Sequence, residues 1–383
     1  MAGARTPHGR YGGALSTVRP DDLAGIVIAE AVRRAGVPAE QIDEVILGAA
    51  NQAGEDNRNV ARMAALLAGL PSSVPGYTVN RLCASGLTAV ANAASTIRSG
   101  EADIIVAGGV ESMTRAPWVM AKPGTAWAKP GQIFDTALGW RFSNPKFTAA
   151  ENITLSMGET AEEVALLEGI TRAESDAFAF RSQERAIAAQ GAGRFADEIV
   201  TVSTKGGDVT EDETPRRGTT LEKLERLKTV FREDGIVTAG TSSPLTDGAA
   251  ALVVASEEAV KKYNLEVRGR IVTSASAGIA PHIMGLGPVP STQKALARAG
   301  WSVDDLGAVE LNEAFAAQSI GVIRQLKLDD SIVNADGGAI ALGHPLGASG
   351  ARILLTLLGR MEREKASRGL ATLCVASGKV CRC

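Results

Sequence analysis

Apolar and polar positions along the chain switch between a helical and an extended period, and the switches mark its elements. Over residues 22–35 apolar side chains recur at helical spacing, acidic residues open the run and Gly36 closes it, which predicts a capped helix. Glu44–Gly48 reads as a short apolar strand, residues 76–82 lead into Cys83, 84–97 form an apolar helix and 104–108 a buried strand. Towards the other end, 293–299 reads as a helix, Ala308–Leu311 as a strand, 349–361 as a helix and 370–375 as a strand. Such alternation predicts an α/β architecture of parallel sheets covered by helices.

The two stretches share a register. Arg34-Ala35-Gly36 matches Arg298-Ala299-Gly300 at a shift of 264; at that shift Val45 falls on Val309, Leu47 on Leu311, and Ala84-Ser85-Gly86 on Ala348-Ser349-Gly350. The chain therefore reads as two similar halves with unlike material between them. Within that material, residues 116–145 hold three of the four tryptophans without a clear period, 159–190 are strongly helical and 208–234 are charged. In residues 216–232 six Lys/Arg stand against two Glu, either a solvated surface or a seat for a phosphate-bearing ligand.

Composition narrows the classes. A chain of 383 residues suggests two or three folding units. It is 45% hydrophobic but only 4% aromatic, with 42 Gly, which suits helices packed closely on sheets. A net charge of −3 gives no footprint for nucleic acid, and no run of about 18 apolar residues predicts a membrane span. Residues 1–10 lack a signal-peptide core, and four cysteines without a framework point to a reducing, cytoplasmic setting.

Three segments could carry chemistry. Cys83 stands at a strand-to-helix junction, where the N–H groups and positive end of a helix favour a thiolate, lower the thiol pKa and can hold an oxyanion. His344 lies in a Gly/Pro-framed loop before a helix, at the repeat position of Asn80; a pseudo-two-fold would let it meet Cys83 and activate the thiol. The other two histidines, His8 and His282, have no such setting. Asn312-Glu313 follows a strand end, where α/β sheets place sites. Cys374, Cys381 and Cys383 lack paired spacing and a nearby histidine, so no metal site is expected.

Together these segments resemble the thiolase family along nearly the whole chain. The resemblance rests on Asn80-Arg81-Leu82-Cys83-Ala84-Ser85-Gly86, Gly108-Gly109-Val110-Glu111-Ser112-Met113, Asn312-Glu313-Ala314-Phe315-Ala316, Gly343-His344-Pro345-Leu346-Gly347 and Leu373-Cys374. It implies two duplicated βαβαβαββ halves in five α-β-α-β-α layers with an inserted loop domain. The division expected is 1–115 with 245–262 for the first half, 116–244 for the insert and 266–383 for the second half. By the same resemblance Cys83 is the acylated nucleophile, His344 takes its proton, Cys374 is the second acid/base, and Asn312 holds a water at an enolate oxygen. The N–H groups of Cys83 and Ala376 would form a second oxyanion site, Met284 would lie near the acyl group, and Arg216, Ser243, Ala314 and Phe315 would contact CoA. The implied reaction is acyl transfer between 3-oxoacyl-CoA and CoA, with CoA as substrate and no cofactor or metal, in a homodimer or homotetramer.

Residues 51–62 and Leu138-Gly139-Trp140-Arg141-Phe142 are similar to 3-oxoadipyl-CoA thiolases, and Arg141 or Lys146 could meet a dicarboxylic acyl chain. Ser156 stands where acetoacetyl-CoA thiolases often carry His, and acetoacetyl-CoA is the alternative substrate. A ketosynthase would need a second active-site histidine where Asn312-Glu313 and Cys374 stand; a non-catalytic acyl-binding protein is the reading from another class. The family's first strand is expected to be short here, and its last strand missing or replaced by the polar tail after Cys374.

Overall fold

The computed structural model describes residues 2–147 and 152–376, and the backbone of 379–382. Ser377, Gly378 and Cys383 lie outside the described residues.

The first sheet is built from β1 (Gly3–Arg5), β2 (Glu44–Gly48), β3 (Gly76–Val79), β4 (Ile104–Ser112) and a strand that arrives much later, Thr246–Ala255. Its spatial order is β1, Thr246–Ala255, β4, β2, β3; the two pairings made by Thr246–Ala255 are antiparallel and the remaining two parallel. The short strand Gly9–Arg10 also pairs with Thr246–Ala255. Both faces of this sheet are buried. Val45, Leu47, Val106 and Ala251 join α1 (Pro20–Ala35) and α2 (Val60–Leu67) in one apolar cluster, whereas Ile46, Ile105, Ala107 and Leu252 join α3 (Ser85–Arg98) in another. The alternation is that of successive side chains on opposite sides of a strand.

The second sheet repeats this plan. Ala275–Gly278 pairs antiparallel with Lys379–Arg382, which pairs antiparallel with Gly369–Val375, which pairs parallel with Ala308–Leu311; Val309 then makes a parallel bridge to Val333. Strand order and directions match those of the first sheet. Ala371, Leu373 and Val375 share the cluster of α3 with Ala351 and Leu355 from the long helix Leu346–Glu364, so α3 and that helix form a middle layer. On the outer face Val309, Leu311 and Leu370 pack with Leu296 of Pro288–Ala299 and Val322 of Ala316–Leu326. Five layers result: helices, sheet, central helix pair, sheet, helices.

The central pair shows the pseudo-symmetry in atomic contact. A Cβ on Gly86 would lie 2.6 Å from the Gly347 carbonyl oxygen and 3.0 Å from the Ala351 nitrogen; one on Gly350 would lie 2.3 Å from the Leu87 nitrogen. Gly86 and Leu87 are the counterparts of Gly350 and Ala351 at the shift of 264, so each glycine admits the other helix's start.

Two expectations are corrected. The sheets are mixed rather than parallel: a strand buried on both faces, such as Thr246–Ala255, runs apolar from Gly248 onward and does not show its direction. The last strand is present, because ladder bonds are made by the backbone and a polar segment of suitable length can fill a slot between two strands. The stretch 159–190 is helical as expected, in two helices, α4 (Met157–Glu168) and α5 (Arg172–Gly191), broken at Gly169 (φ +60°) and restarted by a capping box between Thr171 and Glu174. The insert also shares core with the second half, since Val164 of α4 packs among Leu286 and Leu311.

Candidate active site

Between β3 and α3 the chain makes a tight turn that carries Cys83. Asn80 closes it from one side, accepting the Leu82 N–H at 2.9 Å and donating to the Ala50 carbonyl at 2.9 Å. Ser85 closes it from the other, accepting the Arg81 N–H at 2.8 Å and donating to the Leu82 carbonyl at 2.7 Å. Leu82 is thereby held at φ +48°, in the left-handed region that costs a residue with a Cβ about 1 kcal/mol or more. Cys83 is half-buried. Burial pushes its thiol up to about 11, against the pull of hydrogen bonds from the backbone N–H groups of Ala376 and of Cys83 itself; Glu111 adds to the rise. The expectation of a thiol acidified by the helix start is therefore corrected: desolvation outweighs the N–H groups.

Cys374, near the end of Gly369–Val375, is buried, and its thiol is pushed well up by burial and by the proximity of Cys83. It shares a cluster with Met284, Ala314, Phe315, Ala161 and Val237, against which Met157 also packs. Phe231 sets its edge on the Phe315 ring at 6.3 Å. Ser243 N–H donates to the Ala314 carbonyl at 3.0 Å, which fixes these positions together. Arg216 stands apart: it is exposed, and its backbone N–H donates to Gln183 Oε1.

His344 follows Gly343, whose φ of +87° and whose approach to Thr246 (2.5 Å for an added Cβ) leave no room for a side chain. The His344 N–H donates to Thr246 Oγ1 at 3.1 Å. Its Nδ1 lies 2.6 Å from Ser349 Oγ, and its Nε2 lies 3.4 Å from Asn312 Nδ2. Burial first, then Arg352 and His8, push the imidazole down to about 3, so it is neutral at pH 7. Asn312 is fully buried, its N–H donates to the Thr372 carbonyl at 3.0 Å, and its Oδ1 has no partner.

The fold thus brings Cys83 to Cys374 and Ala376, His344 to Asn312, and Met284 to Ala314, Phe315 and Cys374. The turns bearing Cys83 and His344 abut at Gly86 and Gly347.

Two residues given no role from sequence serve this arrangement. Buried Glu111 accepts the N–H groups of Ala50, Asn51 and Gly347 at 2.9, 3.0 and 2.9 Å, tying the loop after β2 to the start of the His344-bearing helix; burial pushes its carboxyl up to about 7. Ser349 is the second, and its repeat relation to Ser85 was the available signal. In the insert, Trp140 Nε1–H donates to the Leu155 carbonyl at 3.1 Å; the neighbouring Arg141 is half-buried and Lys146 is exposed. Ser156 caps α4 in a capping box with Glu159. Among the described residues no helix is long and apolar enough to cross a membrane.

Two family models match: the thiolase N-terminal domain over residues 1–258 and the thiolase C-terminal domain over residues 265–382. A 3-oxoadipyl-CoA/3-oxo-5,6-dehydrosuberyl-CoA thiolase of Escherichia coli is 55% identical, across 98% of this chain and 96% of its own length. A beta-ketoadipyl-CoA thiolase of Pseudomonas knackmussii is 54% identical, across 98% and 95%. Among solved structures, the Bacillus anthracis acetyl-CoA acetyltransferase aligns with a TM-score of 0.93 at 42% identity, across 100% of this chain and 96% of that one. Human mitochondrial 3-ketoacyl-CoA thiolase in complex with CoA aligns at 0.93 and 39% identity, across 100% and 95%.

Proposed function

The chain belongs to the thiolase family, and on that premise we propose that it cleaves 3-oxoadipyl-CoA with CoA, through the following division of labour. His344 Nε2 takes the Cys83 proton as the sulfur attacks the C3 carbonyl. The N–H groups of Cys83 and Ala376 receive the resulting oxyanion. The C2–C3 bond breaks, leaving an acyl thioester on Cys83 and the enolate of acetyl-CoA. The Asn312–His344 pair supports the enolate oxygen, and the Cys374 thiol protonates its carbon. Cys374 regains a proton from His344, which, neutral again, deprotonates CoA; the CoA sulfur takes the acyl group, and the released Cys83 thiolate takes that proton back from His344. Run backwards, the same steps form a carbon–carbon bond.

The observation that carries this reading is the coupled thiol pair, with two backbone N–H groups on the Cys83 sulfur and a neutral imidazole on the abutting turn. Burial keeps the Cys83 thiol protonated, so attack needs a group to take its proton, and His344, kept neutral by burial, has a ring nitrogen free to do so. Every step is assigned to a side chain or N–H group, so no cofactor beyond CoA as cosubstrate is proposed. We assign the terminal carboxylate of the dicarboxylic substrate to Arg141, a half-buried cation next to Trp140, whose Nε1–H is bonded to the Leu155 carbonyl. Exposed Trp118, Met120 and Ile133 on the paired strands Trp118–Met120 and Ile133–Asp135 support self-association, and we place the protein in the cytoplasm as a dimer or tetramer.

The test is CoA-dependent cleavage by purified protein of acetoacetyl-CoA, a longer 3-oxoacyl-CoA and 3-oxoadipyl-CoA. The highest kcat/KM is expected for 3-oxoadipyl-CoA, with loss in Cys83→Ala and an acyl adduct on Cys83 by mass spectrometry. No turnover of any of the three, or an adduct elsewhere, sinks the reading; a preference for acetoacetyl-CoA sinks only the substrate.

A further inference from the structure

The two helix starts related by the repeat are alike in sequence and differ in bonding. In the first half Ser85 is saturated by its own turn, its Oγ donating to the Leu82 carbonyl at 2.7 Å and accepting the Arg81 N–H at 2.8 Å. Its counterpart, Ser349, lies fully buried in the first turn of Leu346–Glu364, and its Oγ donates to the Pro345 carbonyl at 3.0 Å. The counterpart of Arg81 at the shift of 264 is Pro345, which has no N–H. The acceptor site that Arg81 fills in the first half is open in the second, and His344 Nδ1 occupies it at 2.6 Å.

A hydroxyl has one proton to give. With that proton on the Pro345 carbonyl, the short contact is an Nδ1–H donated to Ser349 Oγ. The other ring nitrogen, Nε2, then carries a bare lone pair, and it is the nitrogen that faces Asn312. The groups whose charge bears on His344 are Arg352 and His8, neither of them an acid that could orient the ring.

We propose that Ser349 is a positioning residue that fixes His344 as its Nδ1–H tautomer, and that Pro345 enables this by removing the main-chain donor that competes for the same oxygen in the other half. The importance of the tautomer rests on reading His344 as the base; the tautomer itself does not.

The chain has three histidines, so 15N-histidine labelling with two-bond 1H–15N correlation reads each tautomer, His344 being identified by its loss in His344→Asn. Wild type is expected to show His344 protonated at Nδ1. In Ser349→Ala the ring is expected to move to the Nε2–H form, and kcat for 3-oxoacyl-CoA cleavage to fall roughly 10- to 100-fold with KM within about twofold, part of what a positioned base contributes. Pro345→Ala returns an N–H and is expected to weaken the Nδ1–H signature in part. Ser349→Cys, a poor acceptor of nearly the same size, repeats the test if the alanine variant fails to fold. An Nε2–H ring in wild type overturns the proposal, as does a Ser349 variant that keeps both tautomer and kcat. An unchanged tautomer in Pro345→Ala overturns the part assigned to proline. A tautomer shift in protein that never cleaves a 3-oxoacyl-CoA leaves Ser349 as positioning residue and fails the proposed function instead.

Discussion

Leu82 at φ +48° swings the chain so that Cys83 meets both its own N–H and that of Ala376, two residues beyond Cys374. Cys83 is thus placed by backbone geometry and left protonated by burial. The identities of Cys83, His344, Cys374 and Asn312 as candidates were legible in sequence because each stands in a short motif. The protonation of Cys83 was not, because desolvation depends on which elements close over a residue, and the local helix start argues the other way. Glu111 stands in a motif too, but its role was illegible for a similar reason: its three N–H partners come from two distant segments. A prediction at this scale concerns Arg141. Arg141→Gln is expected to raise KM for 3-oxoadipyl-CoA roughly 10- to 100-fold, the value of about 1.5–3 kcal/mol for a hydrogen bond to a charged group. Acetoacetyl-CoA, lacking the terminal carboxylate, should change far less. Equal losses on both substrates would remove Arg141 from the acyl pocket.

At the scale of elements, α3 and Leu346–Glu364 touch backbone to backbone because Gly86 and Gly350 lack side chains. Gly350→Ala puts a carbon 2.3 Å from the Leu87 nitrogen, and main chain cannot yield cheaply there. A loss of about 1–3 kcal/mol or more is expected, read from urea midpoints. Gly359, further along the same helix, meets only the movable end of Arg363 at 3.2 Å, so Gly359→Ala should stabilise by about 0.5–1 kcal/mol. The same sign for both would mean that helix propensity, not the contact, decides. Strands and helices were largely legible from their periods, and the repeat announced the second sheet. Strand direction was not, since the run from Gly248 to Ala255 is apolar on both faces. Nor was the break at Gly169, because apolar spacing continues on both sides of it.

For the whole molecule, buried ionisable groups set the response to acid. His8 and His344 are pushed down to about 4 and about 3, so between those values and 6.5 the unfolded chain binds more protons, and stability falls as pH falls. Glu111 and Glu310 are pushed up to about 7 by burial, so between about 4.5 and 7 the folded chain binds more protons, and stability rises as pH falls. Two groups of each kind oppose one another from about pH 4.5 to 6.5. Below about 4.5 the histidines act alone, joined by carboxylates such as Glu30, which Arg33 and Arg34 hold down to about 2. The unfolding midpoint in urea is therefore expected to be nearly flat from pH 6.5 to 5 and to fall below about 4.5. A steep fall already at pH 6 would mean that the two glutamates ionise as ordinary surface acids.

The repeated sheet has one further consequence. Doubling usually gives a molecule a spare: one copy can fail while the other works. Here Cys83 lies in the first copy and His344, Asn312 and Cys374 in the second, while the matching positions at the shift of 264 hold Gly347, Asn80, Gly48 and Val110. None of these four side chains has a like residue at the matching position of the other copy. A lesion in one half silences both, and a chain severed between them would have to reunite its pieces before it could turn over at all.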